Sequence, residues 1–535
     1  MKNTEEFDFI VIGAGSAGVP IAARLSESGK HTVLLLEAGP PRHPFWVKVP
    51  MGYVFFLDRK SSYNWGFETE PEPNLANRVI KAPRGRGLGG TSLINSMLYV
   101  RGAPFDYDGW KAQGAEGWGY DDVLPFFKKA ESHEKGPSEF HGIDGPLNVR
   151  GPQSESPIHN VMVDAGVELG FGTTEDFNGA TYEGFGRYHH NQFLKNGQRC
   201  STGAAYLGTG HSRANLKITY AAHVTKIDIK ENRAVGVYYA QHGESFQAKC
   251  RREVVLSAGA FQSPQVLMHS GIGAASELQR FGIDVVLNQP NVGQNLMDHY
   301  GADIQCTASK PVTLYSSMKI PGALTALYRL LFKGTGPYTF FPFDSGAMIK
   351  SHNGAPRPDT QLLCGDYTRE NGRKTMSRHG FNIAWCQSVP SSRGSVKLKS
   401  SDPADQPKIS YNFLATEDDR LAQRRAFKIV RALLSTNAFS KFMGEEISPG
   451  LSCQTDADID DYVASNGGQH HHPCGTVRMG TAAQGVVDHR LRVHGVSCLR
   501  VADASIMPTI VSGNTNAPTI MIGEKAASMI LADAV

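Results

Sequence analysis

The chain lacks three features that would narrow its class at once: a long apolar run, an internal repeat and a strong charge of one sign. The absence of an apolar run of membrane-spanning length excludes a protein built on transmembrane helices. The absence of a repeat excludes a solenoid. A formal net charge of +3 over 535 residues gives no reason to expect nucleic acid or an acidic polymer as a partner.

Cysteine is sparse and scattered, and no two cysteines form a C-x-x-C pair. This spacing excludes the common zinc sites and a disulfide scaffold, so we expect free thiols in a reducing cytoplasm. The segment Met1–Glu6 is short and polar, which predicts no signal peptide and a cytoplasmic location, while peripheral association with a membrane stays open. The eight cysteines are Cys200, Cys250, Cys306, Cys364, Cys386, Cys453, Cys474 and Cys498.

What the chain does have is the composition of an ordinary globular protein, with 40% hydrophobic and 20% charged residues. Its length predicts two or three domains, or a large interleaved pair. The most lipid-like stretch, Ala323–Phe332, is one short helix long and contains Arg329. We therefore predict that it is a core or lid helix and not a membrane anchor.

The strongest local signal is a strand–turn–helix–strand pattern in the first 37 residues. Phe7–Ile12 and His31–Leu36 are short apolar runs typical of buried strands, and the glycine turn Gly13-Ala-Gly-Ser-Ala-Gly18 leads into a helix from Val19. The N-terminus of such a helix directs free N–H groups at a pyrophosphate. Glu37 is placed to accept a hydrogen bond from an adenosine 2′-hydroxyl and to repel a 2′-phosphate. The pattern predicts dinucleotide binding but does not show whether the nucleotide is NAD or FAD.

Further motifs are dispersed along the chain. One contains four glycines within residues 85–90, which allow a backbone to approach a flat or anionic group closely. Because the nucleotide signals fall in three distant parts of the chain, we expect a discontinuous nucleotide domain with a second, pocket-forming domain inserted into it. The motifs are Arg84–Gly102, Val254–Gly273, His472–Gly480 and Arg500–Pro508 with its continuation Asn514–Glu524.

Together and in this order, the motifs resemble the glucose–methanol–choline family of FAD oxidoreductases, over essentially the whole chain. Within the family, the chain is most similar in appearance to bacterial choline dehydrogenases and sorbose-type alcohol dehydrogenases. The implied fold is α/β (α+β), with a discontinuous Rossmann-like FAD-binding domain and an inserted substrate domain of an antiparallel sheet and helices. The predicted FAD-binding domain comprises residues 1–155, 215–305 and 466–535, and the predicted substrate domain residues 156–214 and 306–465.

The resemblance implies FAD as the cofactor. In some relatives a histidine tethers the flavin, but the matching position here is Ile94, so we expect a non-covalent, dissociable flavin. By resemblance, Glu37 meets the adenosine ribose and the backbone of Val224 meets the adenine. The full set of expected cofactor-binding residues is Gly13, Gly15, Ser16, Ala17, Gly18, Glu37, Ala38, Trp65, Gly90, Thr91, Asn95, Met97, Leu98, Val224, Ala258, Asp503, Ala504 and Asn516.

Oxidation of an alcohol by a flavin requires loss of the hydroxyl proton, stabilisation of the oxygen and hydride transfer from carbon to flavin N5. A histidine can accept the proton near neutral pH, and an amide or imidazole can stabilise the oxygen. By resemblance, His472 matches the family's catalytic base and Asn516 its second catalytic position. We therefore expect oxidation of a primary alcohol to the aldehyde, with His472 as general base and Asn516 as hydrogen-bond donor to the oxygen.

The run His470–His472 admits other roles. If the run is extended, His470 and His472 share a face, but no acid or cysteine cluster supports them, so we expect no metal site. His470 and His471 either pack and hydrogen-bond or line the substrate pocket. Asp344 lies where several relatives carry an acid, which could meet a cationic substrate such as choline, although relatives that act on neutral alcohols carry one too. The aromatic residues Tyr338, Phe340, Phe341 and Phe343 fit either a pocket wall or a core.

Two questions of function stay open in the sequence. The electrons pass either to O₂ or to another acceptor. The same scaffold also hosts flavin-containing lyases and decarboxylases, which carry out no net alcohol oxidation, although the retention of His472 and Asn516 argues against a decarboxylase. Fold-level resemblance does not select the alcohol, so choline, a sugar alcohol, a polyether end and an aryl carbinol are all candidates.

Overall fold

The structure is a computed structural model, and it describes residues 5–57, 61–208, 213–369 and 378–534. Two large sheets organise these residues, and helices pack against both. The predicted fold class, a mixed α/β architecture with a nucleotide-type sheet and an antiparallel sheet with helices, is confirmed.

The first sheet has seven strands and is built around the strand–turn–helix–strand unit at the start of the chain. Its central strands pair in parallel, with Ile12 opposite both Leu36 and Leu256. Both faces of this parallel region are covered, which explains why its strands are continuously apolar. In spatial order the strands are Ala222–Lys230, Arg233–Gln241, Glu244–Leu256, Glu5–Ile12, Val33–Leu36 and Leu216–Thr219, with Leu499–Val501 paired beside Glu244–Leu256.

The parallel strands of this sheet run in one direction, so their C-terminal ends lie side by side. These ends are Ile12, Leu36, Leu256 and Val501. In open α/β sheets, ligands bind in the crevice beyond such ends. The loops that follow the four strands therefore begin the site described below.

The second sheet has six strands, and every neighbouring pair is antiparallel. The helices Ile158–Glu168 and Glu417–Leu434 pack against it. The second helix begins where the Thr416 hydroxyl accepts a hydrogen bond from the Asp419 N–H. In spatial order the strands are Met443–Ser448, Asp303–Ala308, Gly380–Gln387, Thr360–Gly365, Phe343–Ile349 and Gly184–Arg187.

Two elements pack across the predicted domain boundaries. The boundary at residue 305 falls inside the strand Asp303–Ala308, whose backbone pairs throughout with the second sheet. The helix Thr202–Tyr206, placed in the substrate domain, packs instead against Gly18–Glu27 beside the first sheet. Contact between distant segments, rather than position along the chain, decides to which core each of these elements belongs.

The segment Ala323–Phe332 is not a core helix. It forms the α-helix Gly322–Tyr328 and a π-helix, Arg329–Lys333, and its larger apolar side chains are mostly exposed. None of the helices formed by the described residues combines the length and apolar character needed to cross a bilayer. All eight cysteines are free thiols, as predicted.

Shorter elements connect the two sheets. The remaining α-helices are Phe45–Lys48, Pro104–Ala112, Tyr120–Ala130, Gln262–His269, Ala275–Arg280, Asn437–Ser440, Asp456–Asn466 and Asn516–Asp533. The 3-10 helices are Pro50–Phe55, Pro73–Leu75, Gly90–Leu93, Leu314–Met318 and Ala504–Ile506. The small sheets comprise Phe67–Glu68 with Lys81–Ala82, Glu131–His133 with Leu147–Arg150 and His190–Asn191, Ile272–Gly273 with Leu287–Asn288, Gln294–Leu296 with Gly394–Lys397 and Lys408–Ser410, and Tyr300–Gly301 with Gly468–Gln469.

Candidate active site

A cavity of about 450 Å³ lies between the two sheets. The loops after the parallel strands line one end, which we call the nucleotide end. Side chains of the antiparallel sheet and of the segment 53–57 line the other, which we call the substrate end. The two ends meet at His472.

The three glycines of the first turn have different physical reasons to be glycine. Gly13 has a φ of +94°, and a Cβ on it would lie 2.5 Å from the Ser257 carbonyl oxygen. A Cβ on Gly18 would lie 1.9 Å from the Gly13 carbonyl oxygen. A Cβ on Gly15 would meet no protein atom within 4 Å, and Gly15 lines the cavity. The outer two glycines therefore permit packing, while the middle one leaves its face open to a ligand.

The second glycine motif lies directly on the first turn. The Gly89 N–H donates to the Ala14 carbonyl at 2.7 Å. A Cβ on Gly90 would lie 2.7 Å from the Gly15 Cα. The two motifs, 75 residues apart in sequence (Gly15 to Gly90), thus form one backbone-lined wall.

Glu37 ties this wall together. Its Oε1 accepts hydrogen bonds from the Gly39 and Gly87 N–H groups at 2.7 and 2.9 Å, and its Oε2 accepts one from Ala14 at 3.0 Å. Burial raises the pKa of Glu37, and the three N–H groups oppose that rise. Because Oε2 has a further lone pair and Glu37 lines the cavity, it can also accept from a ribose hydroxyl.

Asp503 joins the ends of two parallel strands. Its Oδ2 accepts from the Gly259 N–H at 2.8 Å and the Ser263 hydroxyl at 2.6 Å, and its Oδ1 accepts from the Ser505 N–H. Ala258 and Ala504, on either side of this carboxylate, line the cavity. A glycine turn at a helix N-terminus, a buried acceptor at Glu37 and this small-residue wall fit FAD.

Most of the residues predicted from the sequence lie on this cavity. Gly18 and Met97 do not line it: Gly18 is packed on Gly13, and Met97 is buried with a φ of +62°. Ile94 is buried at the cavity wall. The predicted residues that line the cavity are Gly13, Gly15, Ser16, Ala17, Glu37, Ala38, Trp65, Gly90, Thr91, Asn95, Leu98, Val224, Ala258, Asp503, Ala504, Asn516, His470, His471 and His472.

His472 is held on three sides. Its backbone N–H donates to Asp298 Oδ1 at 2.8 Å, its Nδ1 lies 3.0 Å from His299 Nδ1, and its Nε2 lies 3.1 Å from Asn514 Nδ2. Burial and the neighbouring imidazoles lower the pKa of His472 well below the usual value. His472 is therefore neutral at neutral pH and able to accept a proton.

The neighbours of His472 also select its tautomer. Gln361 Nε2 donates to Asn514 Oδ1 at 3.4 Å, which leaves the Asn514 NH₂ group facing His472. An NH₂ group only donates, so His472 Nε2 carries the lone pair and Nδ1 carries the proton. The His472 Nδ1–H group then donates to His299 Nδ1. Burial lowers the pKa of His299 to about 3, so its imidazole is neutral and can accept. In this tautomer, the Nε2 lone pair is available to accept a proton at the cavity.

The amide beside His472 belongs to Asn514, whereas Asn516, the residue predicted for this position, contacts other groups. The Asn516 Oδ1 accepts from the Ser16 hydroxyl at 2.8 Å, and its Nδ2 lies 3.4 Å from Asn191 Oδ1. The helix Asn516–Asp533 begins at Asn516, so its first turn points back to the nucleotide end. Asn514 lies in the preceding turn and faces the other way.

His470 and His471 occupy different environments. His470 is half-buried, its N–H donates to the His299 carbonyl at 2.9 Å, and burial lowers its pKa to about 4. His471 is more exposed and has a φ of +66°, and its carbonyl accepts from Arg84 Nη2 at 2.9 Å. Because both line the cavity, the expectation that they border the pocket fits the geometry.

Asp344 is not on the cavity, which corrects its placement in the substrate pocket. Its fully buried carboxylate pairs with Arg187 and accepts hydrogen bonds from the Gln153 and Ser154 N–H groups at 3.3 and 2.9 Å. Asp344 is the second residue of the strand Phe343–Ile349, and its side chain is directed toward Arg187, away from the cavity. It cannot meet a substrate directly.

The sequence also missed several residues of the substrate end. Tyr53 and Phe341 line it with ring centroids 4.5 Å apart, and Phe343 and Tyr367 continue the wall at 5.6 Å. Arg369 pairs with Asp303 at 2.7 Å on the same wall. Only Phe341 and Phe343 were among the aromatic candidates. The others, Tyr53, Asp303, Tyr367 and Arg369, carry no local signal, because they come from three separate segments.

A buried polar network lies away from the cavity. His133, His141 and Asp176 have potential ligand atoms within 4.8 Å of one another, the one such group found among the described residues. His141 hydrogen-bonds to Asp176 at 2.6 Å and to Glu131 at 2.9 Å, and Arg101 pairs with Glu131 at 2.6 Å. Hydrogen bonds and the Arg101 charge account for these carboxylates without a metal ion.

Comparison with known proteins gives consistent matches over the whole chain. A family model described as GMC oxidoreductase matches residues 7–301, and its C-terminal counterpart matches residues 390–523. The oxygen-dependent choline dehydrogenase of Chromohalobacter salexigens is 42% identical over 99% of this chain and 96% of its own. The protein of the same name from Cronobacter sakazakii is 43% identical over 98% and 95%.

Solved structures agree with these matches. Pyridoxine 4-oxidase from Mesorbium loti superimposes with a TM-score of 0.88 at 30% identity, over 98% of this chain and 99% of its own. A formate oxidase variant from Aspergillus oryzae superimposes with a TM-score of 0.93 at 25% identity, over 100% and 99%.

Proposed function

The chain belongs to the GMC oxidoreductase family of FAD enzymes that act on CH–OH donors, and on that premise we propose that it oxidises a primary alcohol to the aldehyde. One observation carries the proposal: His472 Nε2 and Asn514 Nδ2 lie 3.1 Å apart at the cavity, between the nucleotide and substrate ends. Two groups at that separation can both contact a single hydroxyl oxygen.

In the proposed reaction, His472 accepts the hydroxyl proton of the alcohol at Nε2. Asn514 donates a hydrogen bond from Nδ2 to the same oxygen and stabilises the negative charge that develops there. His299 accepts from His472 Nδ1 and keeps the base in the required tautomer. Asp298, whose pKa burial raises to about 7, holds the backbone of His472 in place.

FAD, when bound at the nucleotide end, supplies the acceptor for the hydride that leaves the alcohol carbon. We propose that it is held non-covalently, because the hydrocarbon side chain of Ile94 cannot form a bond to it. Gly15 and Glu37 bind and orient the nucleotide as described. O₂ or another acceptor then takes the electrons.

The substrate end favours a small alcohol with an apolar or aromatic body, since rings dominate its wall. The names of the relatives, choline dehydrogenase and pyridoxine 4-oxidase, supply two specific candidates. Aromatic faces attract a quaternary ammonium and also stack on an aromatic ring, so both fit this wall.

The proposal is tested by mixing the purified FAD-loaded enzyme anaerobically with choline, pyridoxine, benzyl alcohol, sorbose and a short polyethylene glycol. We expect one alcohol to bleach the flavin absorbance, and His472→Ala to slow bleaching by about 10²–10⁴-fold while retaining FAD. His489→Ala, at an exposed histidine, is the matched control. Turnover of an alcohol while the flavin stays oxidised would contradict the proposal and favour a lyase. Readmission of air then separates an oxidase from a dehydrogenase.

A further inference from the structure

An exposed apolar face lies on the segment 318–332, outside the active site. Ile320, Phe332 and Leu324 are 80%, 75% and 62% exposed. Side chains of this size are usually buried, and a contiguous group of them marks a surface that is covered in use.

These side chains extend over consecutive elements. Leu324 and Tyr328 lie four residues apart in the α-helix Gly322–Tyr328, the spacing that places them on one side of it. Ile320 precedes this helix and Phe332 lies in the π-helix that follows it, and both are exposed as well. Ala326 and Leu330, on the other side, are buried against the protein. The segment thus packs on the protein through Ala326 and Leu330, while its other large apolar side chains face solvent.

A second exposed cluster adjoins the first. The rings of Phe45, Trp46 and Phe55 form a chain with centroid distances of 5.7 and 5.3 Å, and all three are more than two-fifths exposed. The two segments are linked through Tyr338, whose carbonyl accepts from the Met51 N–H and whose hydroxyl donates to the Ser317 carbonyl at 3.0 Å. We call the two clusters together the apolar face.

The charge on these segments has one sign. No aspartate or glutamate occurs between Asp303 and Asp344, whereas Lys310, Lys319, Arg329 and Lys333 do. The second cluster likewise has Arg42 and Lys48 but no acid within residues 38–57. Arg329 pairs with Glu155, whereas Lys319 and Lys333 flank the helix, each over an aromatic ring (Tyr315 and Tyr328).

We infer that the apolar face binds the surface of an anionic lipid bilayer, with the helix Gly322–Tyr328 and its continuation lying in the interface. Leucine, phenylalanine and isoleucine on one side, with tyrosine and lysine at the margins, is the pattern of an interfacial helix. Lysine is depleted in protein–protein interfaces and is attracted to anionic lipids, which favours lipid over a protein partner.

The apolar face borders the substrate end of the cavity. Tyr53 lies in the same short helix as Phe55, and Phe341 follows Tyr338 by three residues; both line the cavity. Bound to a bilayer, the enzyme would present this end of the cavity to the lipid surface.

The inference is tested by flotation of the FAD-loaded enzyme with vesicles of phosphatidylcholine alone and of phosphatidylcholine with one-quarter phosphatidylglycerol. We expect binding to the anionic vesicles only, and at least tenfold weaker binding for the double variant Ile320→Ser, Phe332→Ser. Lys319→Glu with Lys333→Glu should reduce binding similarly. Leu451→Ser, at an apolar residue that is 74% exposed in a different segment, is the matched control and should bind as the unmodified enzyme does.

Retained flavin absorbance shows that each variant is folded. Equal flotation of the enzyme and the Ile320→Ser, Phe332→Ser variant, or no flotation with anionic vesicles, would overturn the inference. Sedimentation velocity without lipid provides a second check. A dimer that the same double variant dissociates would also overturn it, because the face would then be an interface between two copies of the chain.

Discussion

The two ends of the cavity are built in different ways. At the nucleotide end, backbone N–H and carbonyl groups from glycine turns form the wall, and Glu37 binds three of those N–H groups at once. At the substrate end, side chains such as Tyr53, Phe341 and Tyr367 form the wall. A backbone wall requires glycine at fixed positions, whereas a side-chain wall accepts many residues of similar size. The same cavity therefore combines a constrained cofactor end with an adaptable substrate end.

The strongest test of the difference between the two ends is to add one methyl group to the backbone wall of the nucleotide end. In Gly18→Ala, the new Cβ would lie 1.9 Å from the Gly13 carbonyl oxygen, and both groups belong to the backbone, so neither can move aside. We expect a loss of more than about 3 kcal/mol in the free energy of unfolding and complete loss of bound FAD. Thermal unfolding and the flavin-to-protein absorbance ratio measure the two effects.

Gly15→Ala is the matched control for this variant. Its Cβ meets no protein atom within 4 Å, so the FAD-free protein should unfold at an unchanged temperature while FAD binds more weakly. Equal destabilisation of the FAD-free protein by both substitutions would contradict the distinction between a packing glycine and a ligand-facing glycine.

Substitution of Asn514 and of Asn516 tests which of them acts on the alcohol and which on FAD, at the point where the two ends of the cavity meet. We expect Asn514→Ala to lower kcat by about 10²–10³-fold with FAD still bound, because it removes the donor beside His472 Nε2. We expect Asn516→Ala to weaken FAD binding more than it lowers kcat, because its amide contacts Ser16. Stopped-flow flavin reduction and fluorescence titration with FAD separate the effects.

Asn514→His should restore part of the rate that Asn514→Ala loses, since an imidazole N–H can also donate. The reverse pattern would return the donor role to Asn516.

The pH dependence tests the burial of the base at this meeting point. Burial and neighbouring imidazoles lower the pKa of His472, so the neutral, proton-accepting form persists to more acidic pH. At pH 5.5, a histidine of ordinary pKa would be about nine-tenths protonated. We expect kcat/KM to keep most of its neutral-pH value at pH 5.5 and to fall only below it. An acidic limb at or above pH 6.5 would contradict a buried base.

The smallest effect is expected at the substrate end. Phe341→Leu keeps an apolar side chain of similar volume but removes ring contacts to Tyr53 and Phe343 at 4.5 and 5.3 Å. We expect KM for the alcohol to rise about two- to tenfold, the value of an aromatic pair, with an unchanged Kd for FAD. Steady-state kinetics and FAD titration check this. A parallel rise in both constants would show that the two ends are not independent.

The nucleotide end could be predicted from sequence to a large extent. The strands Glu5–Ile12 and Val33–Leu36, the glycine turn and Glu37 were identified from residues that are close in sequence and whose spacing is dictated by backbone geometry. Of the predicted cofactor residues, only Gly18 and Met97 do not line the cavity, and Gly18 is needed to form the turn.

The geometry of the candidate catalytic centre was predicted only in part. His472 lies at the cavity, but the amide beside it belongs to Asn514 and not to Asn516, because both asparagines lie in one motif and nothing local shows which one faces His472. Asp344 was placed on the substrate by position, whereas its contact with Arg187 turns it away. His299 was missed entirely.

The sequence by itself determined the βαβ unit, the family and the cofactor class, and it named His472 as the candidate base, because each depends on residue types at short, fixed spacings. Only the tertiary structure decided the partner and tautomer of His472, the aromatic wall of the substrate end and the exposure of the helix after Ile320. Each of these depends on which face of an element meets which distant segment. Those contacts, such as His472 with His299 across 173 residues, arise from packing and leave no local pattern.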